Sequence, residues 1–364
     1  MVTLKDVAQR VGVSIRAVSH AVNHTGRLSA ETREKILTAI REMGYYPNQG
    51  ARELVTRKSK LIGVLIPSLS VSFYARIIAG IQQIARQADY TILLMSPLGE
   101  KSDDYQFLCT QMLQRRVDGI ILNPIPSVRN IAKFTRSCGI PVIQIQNHID
   151  AFGPDYVQVA NFDSAKEAVY ALCRTGCRKI AMVSHSRVSE EIADRKRGFL
   201  AAMKEMRPDY KPVVMESSVE IPDAKRVVGR MLAEHPEIDA IFAASDYAGL
   251  GAAQAALELG RKIPDDLSII GFDNLEIAAQ QLVYPLSTVD QPKEEIGRIA
   301  MKMMIDRLNG RPADSRVLPA SLILRSTTRA EKNAKHGLHT AFVNTQKRRI
   351  RTNNIRHEEE RNHE

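Results

Sequence analysis

VTLKDVAQRVGVSIRAVSHAVN, residues 2–23, reads as two short helices joined by a tight turn. Thr3 can cap the first helix, with Asp6 three residues on as in a capping box. Leu4, Val7, Ala8 and Val11 then fall on one face. Gly12 breaks the pattern. Ser14 can cap a second helix to about Asn23, with Val18, Ala21 and Val22 as its inward positions. A loop follows at Thr25-Gly26-Arg27. Ser29 can cap a third helix, with Ile36, Leu37, Ile40 and Met43 as its apolar stripe. Gly44 stops it and Pro47 forbids its continuation. Two short helices about a Gly-containing turn, braced by a third, make a helix-turn-helix. Spacing alone leaves a generic three-helix bundle open.

Asn48 can cap one more short helix, and Thr56 to Lys60 is a basic linker. From Leu61 the texture changes. LIGVLIP (61–67) is a short apolar run of the kind buried on both faces of a sheet. An amphipathic helix over 72–88 follows. The alternation continues with strand 91–96, helix 102–115, strand 119–124, helix 127–137 and strand 141–146. A second series has strands near 156–161, 179–184, 213–215, 240–245 and 268–272. Its helices fall over 163–174, 190–205, 222–234 and 247–259. Alternating units of this length predict parallel sheets covered by helices on both faces. Two series of about five strands predict two doubly wound lobes, with a ligand cleft at the carboxyl ends of the strands. The pattern ends near Arg329, and residues 331–364 read as a basic, disordered tail.

The net charge of +10 suits a polyanionic partner, and its distribution says more. Residues 1–60 carry 11 Lys and Arg against 5 Asp and Glu; residues 331–364 carry 8 against 5. The stretch between them is close to neutral. No apolar stretch is long enough for a membrane span, and the N-terminus lacks the apolar run of a signal peptide. A cytoplasmic location is therefore expected. Cys109, Cys138, Cys173 and Cys177 match no zinc spacing and read as reduced thiols, so neither metal nor cofactor is expected. No Gly-rich dinucleotide loop, phosphate loop or nucleophile elbow is present, which argues against an enzyme.

The string 2–23, continued by SAETREKILTAIREMGYYPNQGARELVTRKSKLIGVLIP (29–67), resembles the lactose-repressor/galactose-repressor family of bacterial transcription regulators. RRVDGIIL (115–122), ASDYAGLGA (244–252), IPDDLSIIGFDN (263–274), LSTVDQP (286–292) and LPASLILRSTTR (318–329) extend the resemblance to about residues 2–330. It implies an all-α DNA-binding head over 1–47, a hinge helix and linker over 48–60, and a periplasmic-binding-protein-like core over 61–330. Lobe 1 would hold about 61–160 and 290–318, and lobe 2 about 161–289 and 319–330. It further implies a homodimer on a near-palindromic operator, most often repressing, with an effector in the cleft. Some members respond to a partner protein instead.

Residue roles follow from the same resemblance. Ile15, Arg16, Ser19 and His20 open the second helix, whose start faces base edges in the major groove. Arg16 can engage guanine O6 and N7 together, or contact a phosphate. Ile15 can touch a thymine methyl. Ser19 and Asn23 suit phosphates, and Thr3 and Ser14 join the DNA-contacting set. His20 stands where some relatives carry Arg. The hinge pattern is Asn48, Ala51, Arg52 and Leu54, with Leu54 either a minor-groove wedge or packed on its own core. In the core, Arg195, Asp246 and Asp273 are expected at the cleft, with Phe73 and Tyr74 either lining it or packing inside. Gln146 is included, although several relatives carry Asp there, and Ala160-Asn161-Phe162-Asp163 also departs from the usual pair. A solute-binding protein for import would share the two lobes, but the head and the expected absence of a signal peptide disfavour it.

Overall fold

The structure is a computed structural model, and it describes residues 2–23, 25–45, 58–69, 71–97, 102–124, 129–186, 189–280 and 284–330. The expected hinge with Asn48, Ala51, Arg52 and Leu54, and the tail from 331, lie outside the described residues.

Three helices form the head: α1 (Leu4–Val11), α2 (Ile15–Val22) and α3 (Ala30–Met43). Both halves of the capping box at Thr3 and Asp6 are made. Gly12 ends α1 at φ +73, a left-handed conformation that glycine adopts without the Cβ clash. Ser14 and Ser29 accept from the third backbone amide of their helices. Val7, Ala8, Val18, Ala21, Ile36, Ala39 and Tyr45 make the buried core of the head. Ala39 takes the place expected of Leu37, because the helical repeat from Ile36 brings positions 39, 40 and 43 to that face, and 37 lies to one side.

Lobe 1 opens with β1 (Leu61–Leu65), α4 (Ser72–Gln87), β2 (Thr91–Met95), α5 (Ser102–Gln114), β3 (Gly119–Leu122), α6 (Arg129–Ser137), β4 (Val142–Ile145) and β5 (Tyr156–Val159). Lobe 2 follows with α7 (Asn161–Arg174), β6 (Ile180–His185), α8 (Glu190–Met206), β7 (Val214–Ser217), α9 (Ile221–Glu234), β8 (Ala240–Ala243), α10 (Asp246–Glu258), β9 (Ser268–Phe272), α11 (Glu276–Ala279) and β10 (Ser287–Asp290). The chain then returns to lobe 1 as α12 (Lys293–Leu308) and β11 (Arg316–Leu318), and ends in lobe 2 as β12 (Ser321–Ile323). The sheet orders are β11-β5-β4-β3-β1-β2 and β12-β10-β9-β8-β6-β7. Each sheet therefore has six strands, one more than the pattern suggested. The strands not expected are β10, β11 and β12, of four, three and three residues, too short to show a period, and the strand near 156–161 that opened the second series is β5 of the first sheet. The β12–β10 pair is antiparallel, an exception among the described strands to the expected parallel order.

Alternate strand residues face opposite helix layers. In lobe 1, Ile62, Val64, Ile121 and Ile143 meet α4 and α12, whereas Leu65, Ile120 and Leu122 meet α5 and α6. Lobe 2 repeats the arrangement, with α9 and α10 on one face and α7 and α8 on the other. The α4–α12 crossing is so close that a Cβ on Gly80 would overlap the Glu294 carbonyl, and one on Gly297 the Ile77 carbonyl. Arg307 fastens α12 to the approach of β5 through two hydrogen bonds to Asp155, each 2.6 Å. Where the linker reaches lobe 1, Asp118 accepts from the amides of Ser59 and Lys60 at 2.9 and 3.1 Å.

Strand order reverses at β1/β3 and at β6/β8. Those switch points open a crevice beyond the carboxyl ends of the strands, where doubly wound folds bind ligands.

Candidate DNA-reading helix and interlobe cleft

On α2 the structure brings Ile15, Arg16, Ser19, His20 and Asn23 to one side. Ile15 is 49% exposed although apolar, and Arg16 is exposed. The remaining three are half-buried. Asn23 donates to the Ser19 carbonyl at 2.9 Å, which closes the end of the helix. Thr3 and Ser14 have their hydroxyl oxygens engaged as caps, Ser14 accepting from the Ala17 amide at 3.1 Å. Their first task is to fix where α1 and α2 begin. Behind α2, Arg33 donates to the Ala21 carbonyl at 3.4 Å. His20 Nδ1 lies 3.0 Å from Thr25 Oγ1.

The cleft is built from polar residues at strand ends. Arg195 on α8 is 4% exposed. Its Nε donates to Asn161 Oδ1 at 2.9 Å and its Nη1 to the Ala244 carbonyl at 2.6 Å. The guanidinium lies 3.7 Å from the centre of the Phe272 ring and 3.4 Å from Asp273 Oδ1. Asp273, just past β9, also accepts from Gln291 Nε2 at 2.6 Å. Burial pushes its carboxyl up from the ordinary value, and Arg195, Gln291 and Lys293 pull the other way.

Asp246 is wholly buried at the start of α10. It accepts from Thr288 Oγ1 and from the Leu275 amide, each at 2.6 Å. Burial first, and the charge of Asp273 second, push its carboxyl up to about 8. Asp246 thus braces the 273–275 corner from beneath instead of presenting a free carboxylate to the cleft. That corner joins the lobes. Leu275, in the chain of lobe 2, sits in the core of lobe 1. Next to it, Glu276 pairs with Arg76 of α4 at 2.7 Å.

Phe73 and Tyr74 separate. Phe73 is 7% exposed and joins Ile77, Ile81 and Ile84 in the lobe 1 core, because those positions share its side of α4. Tyr74, one position further round, accepts from Asn123 Nδ2 at 3.0 Å. Asn123 Oδ1 accepts from Asn147 at 2.9 Å, and Asn147 Oδ1 accepts from the Glu191 amide across the cleft at 3.4 Å. Sequence reading missed Asn123, Asn147, His185, Ser245 and Gln291. Each follows or ends an apolar strand, and that position was the available signal.

Gln146 is 3% exposed and held at φ +66, a strained conformation for a residue with a side chain. Its Nε2 has no hydrogen-bond partner among the described residues, nor do Ser184 Oγ, Ser189 Oγ and Gln291 Oε1. Leaving buried polar atoms unpaired costs free energy, so such a group marks a place suited to a polar guest. His185 Nε2 and Ser245 Oγ, 2.9 Å apart, add a further polar pair from the ends of β6 and β8. Ser245 Oγ also accepts from the Ala248 amide as the cap of α10, a structural task for this serine, and no cluster of metal-ligating side chains occurs among the described residues.

Comparison with known proteins accounts for both halves of this arrangement. Residues 3–48 match the family model described as bacterial regulatory proteins, lacI family. Residues 59–327 match the periplasmic binding proteins and sugar binding domain of the LacI family. The chain is 32% identical to the ribose operon repressor of Halalkalibacterium halodurans, over 92% of this chain and all of that one. It is 33% identical to catabolite control protein A of Priestia megaterium, over 90% and 99%. Among solved structures, the lac repressor dimer bound to operator and the anti-inducer ONPF superposes with a TM-score of 0.83 at 27% identity, covering 90% of this chain and 99% of that one. Relatives named as repressors, together with a head and a two-lobed sensor matched in family order, leave no place for an enzyme. The chain is a transcription regulator and belongs to the lacI family of bacterial regulatory proteins.

Proposed function

We propose that this regulator is a repressor that binds a near-palindromic operator as a homodimer in the cytoplasm, and that a sugar or related metabolite in the interlobe cleft sets its DNA affinity. The observation that carries the reading is the coexistence in one chain of an exposed helix face at Ile15 and Arg16 with a cleft of unpartnered polar atoms. One surface suits base edges; the other suits a polyhydroxylated guest whose hydroxyls can both donate and accept. Residues 1–47 act as head, 48–60 as hinge and linker, and 61–330 as sensor. In the hinge, Asn48, Ala51, Arg52 and Leu54 meet the minor groove.

Coupling runs through the corner at 273–276. A ligand that binds the two lobe arrangements unequally shifts their balance, and only that difference transmits a signal. Arg195, Asp273 and Gln146 contact the effector, with Tyr74 at the lobe 1 side. Asp246 acts through the corner.

The experiment is selection of bound sites from random DNA, followed by titration of the selected operator with a panel of sugars. A two-fold symmetric site bound by two chains, with affinity shifted by at least one sugar, is the expected result. Enrichment of an asymmetric site bound by one chain would remove the dimer reading. An affinity indifferent to every sugar would remove the proposed effector class.

A further inference from the structure

We infer that Asp118 is the anchor that fixes where the linker to the head leaves lobe 1, and that it thereby sets the half-site spacing that the paired chains accept in an operator. The inference rests on the dimeric operator-binding reading above. Asp118 stands just before β3, and its carboxylate grips the end of the linker. Oδ1 accepts from the Ser59 amide at 2.9 Å and from Ser59 Oγ at 3.0 Å, and Oδ2 accepts from the Lys60 amide at 3.1 Å. Ser59 Oγ in turn accepts from the Leu61 amide at 3.1 Å. The backbone completes the hold. The Asp118 amide donates to the Leu61 carbonyl and the Thr91 amide to the Lys60 carbonyl, each at 2.8 Å. The chain is therefore held from the β3 side and the β2 side before β1 begins.

Two observations make this grip more than the start of a strand. β3 is already fixed by its ladders to β1 and β4, whereas the hydrogen bonds of the Asp118 side chain among the described residues all run to the linker. Successive amides converging on one anion make a firm and directed cradle. Lys60, moreover, is held at φ +59, a left-handed conformation that a residue with a side chain keeps only where its surroundings over-determine it.

The consequence is geometric. With the hinge seated in the minor groove as proposed, the anchor leaves Thr56, Arg57 and Lys58 to span the gap from DNA to lobe 1. Releasing Ser59 and Lys60 would add about 7 Å of reach to each chain, at roughly 3.5 Å per residue. One base pair inserted between half-sites moves them about 3.4 Å apart and turns one about 35° against the other. The freed slack exceeds that separation, so an anchored pair of chains discriminates spacing and a released pair does not. Asp118 is a positioning residue in this scheme. It acts through the length of chain that it withholds.

The test measures affinities of the full-length chain for three kinds of duplex. These are the selected operator, the same operator with one base pair added or removed at its centre, and a duplex carrying one half-site. The wild-type chain should bind the altered spacings more weakly by roughly tenfold or more, because both heads can no longer seat at once. D118A should bring all spacings within about threefold of one another while leaving half-site affinity unchanged. K60P removes the Lys60 amide and forces φ to about −65°, which breaks the cradle without touching β3. It should flatten the spacing preference in the same way, and it decides the matter alone if D118A fails to fold. A preference in K60P as sharp as in the wild type would overturn the anchor, since flattening in D118A alone would then trace to β3. Equal weakening on every duplex, the half-site included, would reduce the cradle to a stability element and overturn the inference as well. A wild-type chain indifferent to spacing would overturn it without any variant. Selection of a site bound by one chain would instead remove the dimer reading, and the inference with it.

Discussion

Arg16 carries the most exposed charge on the reading face of α2, and its guanidinium is held by no partner in the structure's hydrogen bonds or ion pairs among the described residues. Arg16→Ala should cost about 1–3 kcal/mol on the selected operator and relax preference at one base position. Equal weakening on all sequences, measured by competition binding, would assign Arg16 to a phosphate. Asp246 predicts a pH effect of definite sign. Its carboxyl is raised from 3.8 to about 8, so the folded chain holds a proton that the unfolded chain releases. Stability from this group therefore falls as pH rises from about 4 to about 8. Asp246→Asn should flatten that part of the melting-temperature profile, and an undiminished slope in the variant would refute the assignment. Asp273 stood out as a carboxylate just past an apolar strand, whereas Arg195, within α8, was singled out by the family resemblance. Asn123 and Asn147 were not, because an amide after an apolar run is equally at home in an ordinary turn.

At the scale of elements, caps and period carried most of the information. Thr3, Ser14 and Ser29 stand where helices begin, and the head follows from them. β11 and β12 escaped because three residues define no alternation, and their partners are remote in the chain. The same remoteness hid the α4–α12 crossing, which depends on two glycines with no local signature. Gly297→Ala should force the helices apart and cost about 1–3 kcal/mol, read as a lowered unfolding midpoint. An unchanged midpoint would mean that the crossing relaxes without loss. Gly229 makes a useful control, since a Cβ there meets nothing within 4 Å.

Across the whole molecule, the two lobes are joined by a corner that belongs to one and is buried in the other. Leu275→Ala would leave a cavity in lobe 1 by cutting a residue of lobe 2, at a cost of about 2–5 kcal/mol. It should also change the ratio of operator affinities with and without effector, as the proposed coupling through the corner requires. A stability loss with an unchanged ratio would show that the corner is glue and not a joint. Two lobes were readable from alternating apolar runs; the wiring between them came only with the family resemblance, since periodicity reports burial and says nothing of which sheet a returning segment rejoins.

That wiring bears on how the protein is made. The head needs only residues near the start of the chain, so it can fold as soon as it leaves the ribosome. Lobe 1 cannot close then. It lacks α12 and β11, which lie after all of β6 through β10. Until those segments emerge, α4 exposes its glycine-lined face and β5 an unpaired edge, the conditions under which nascent chains aggregate. A message cut short after β10 would yield a complete head attached to a core with neither sheet finished, β11 missing from one and β12 from the other.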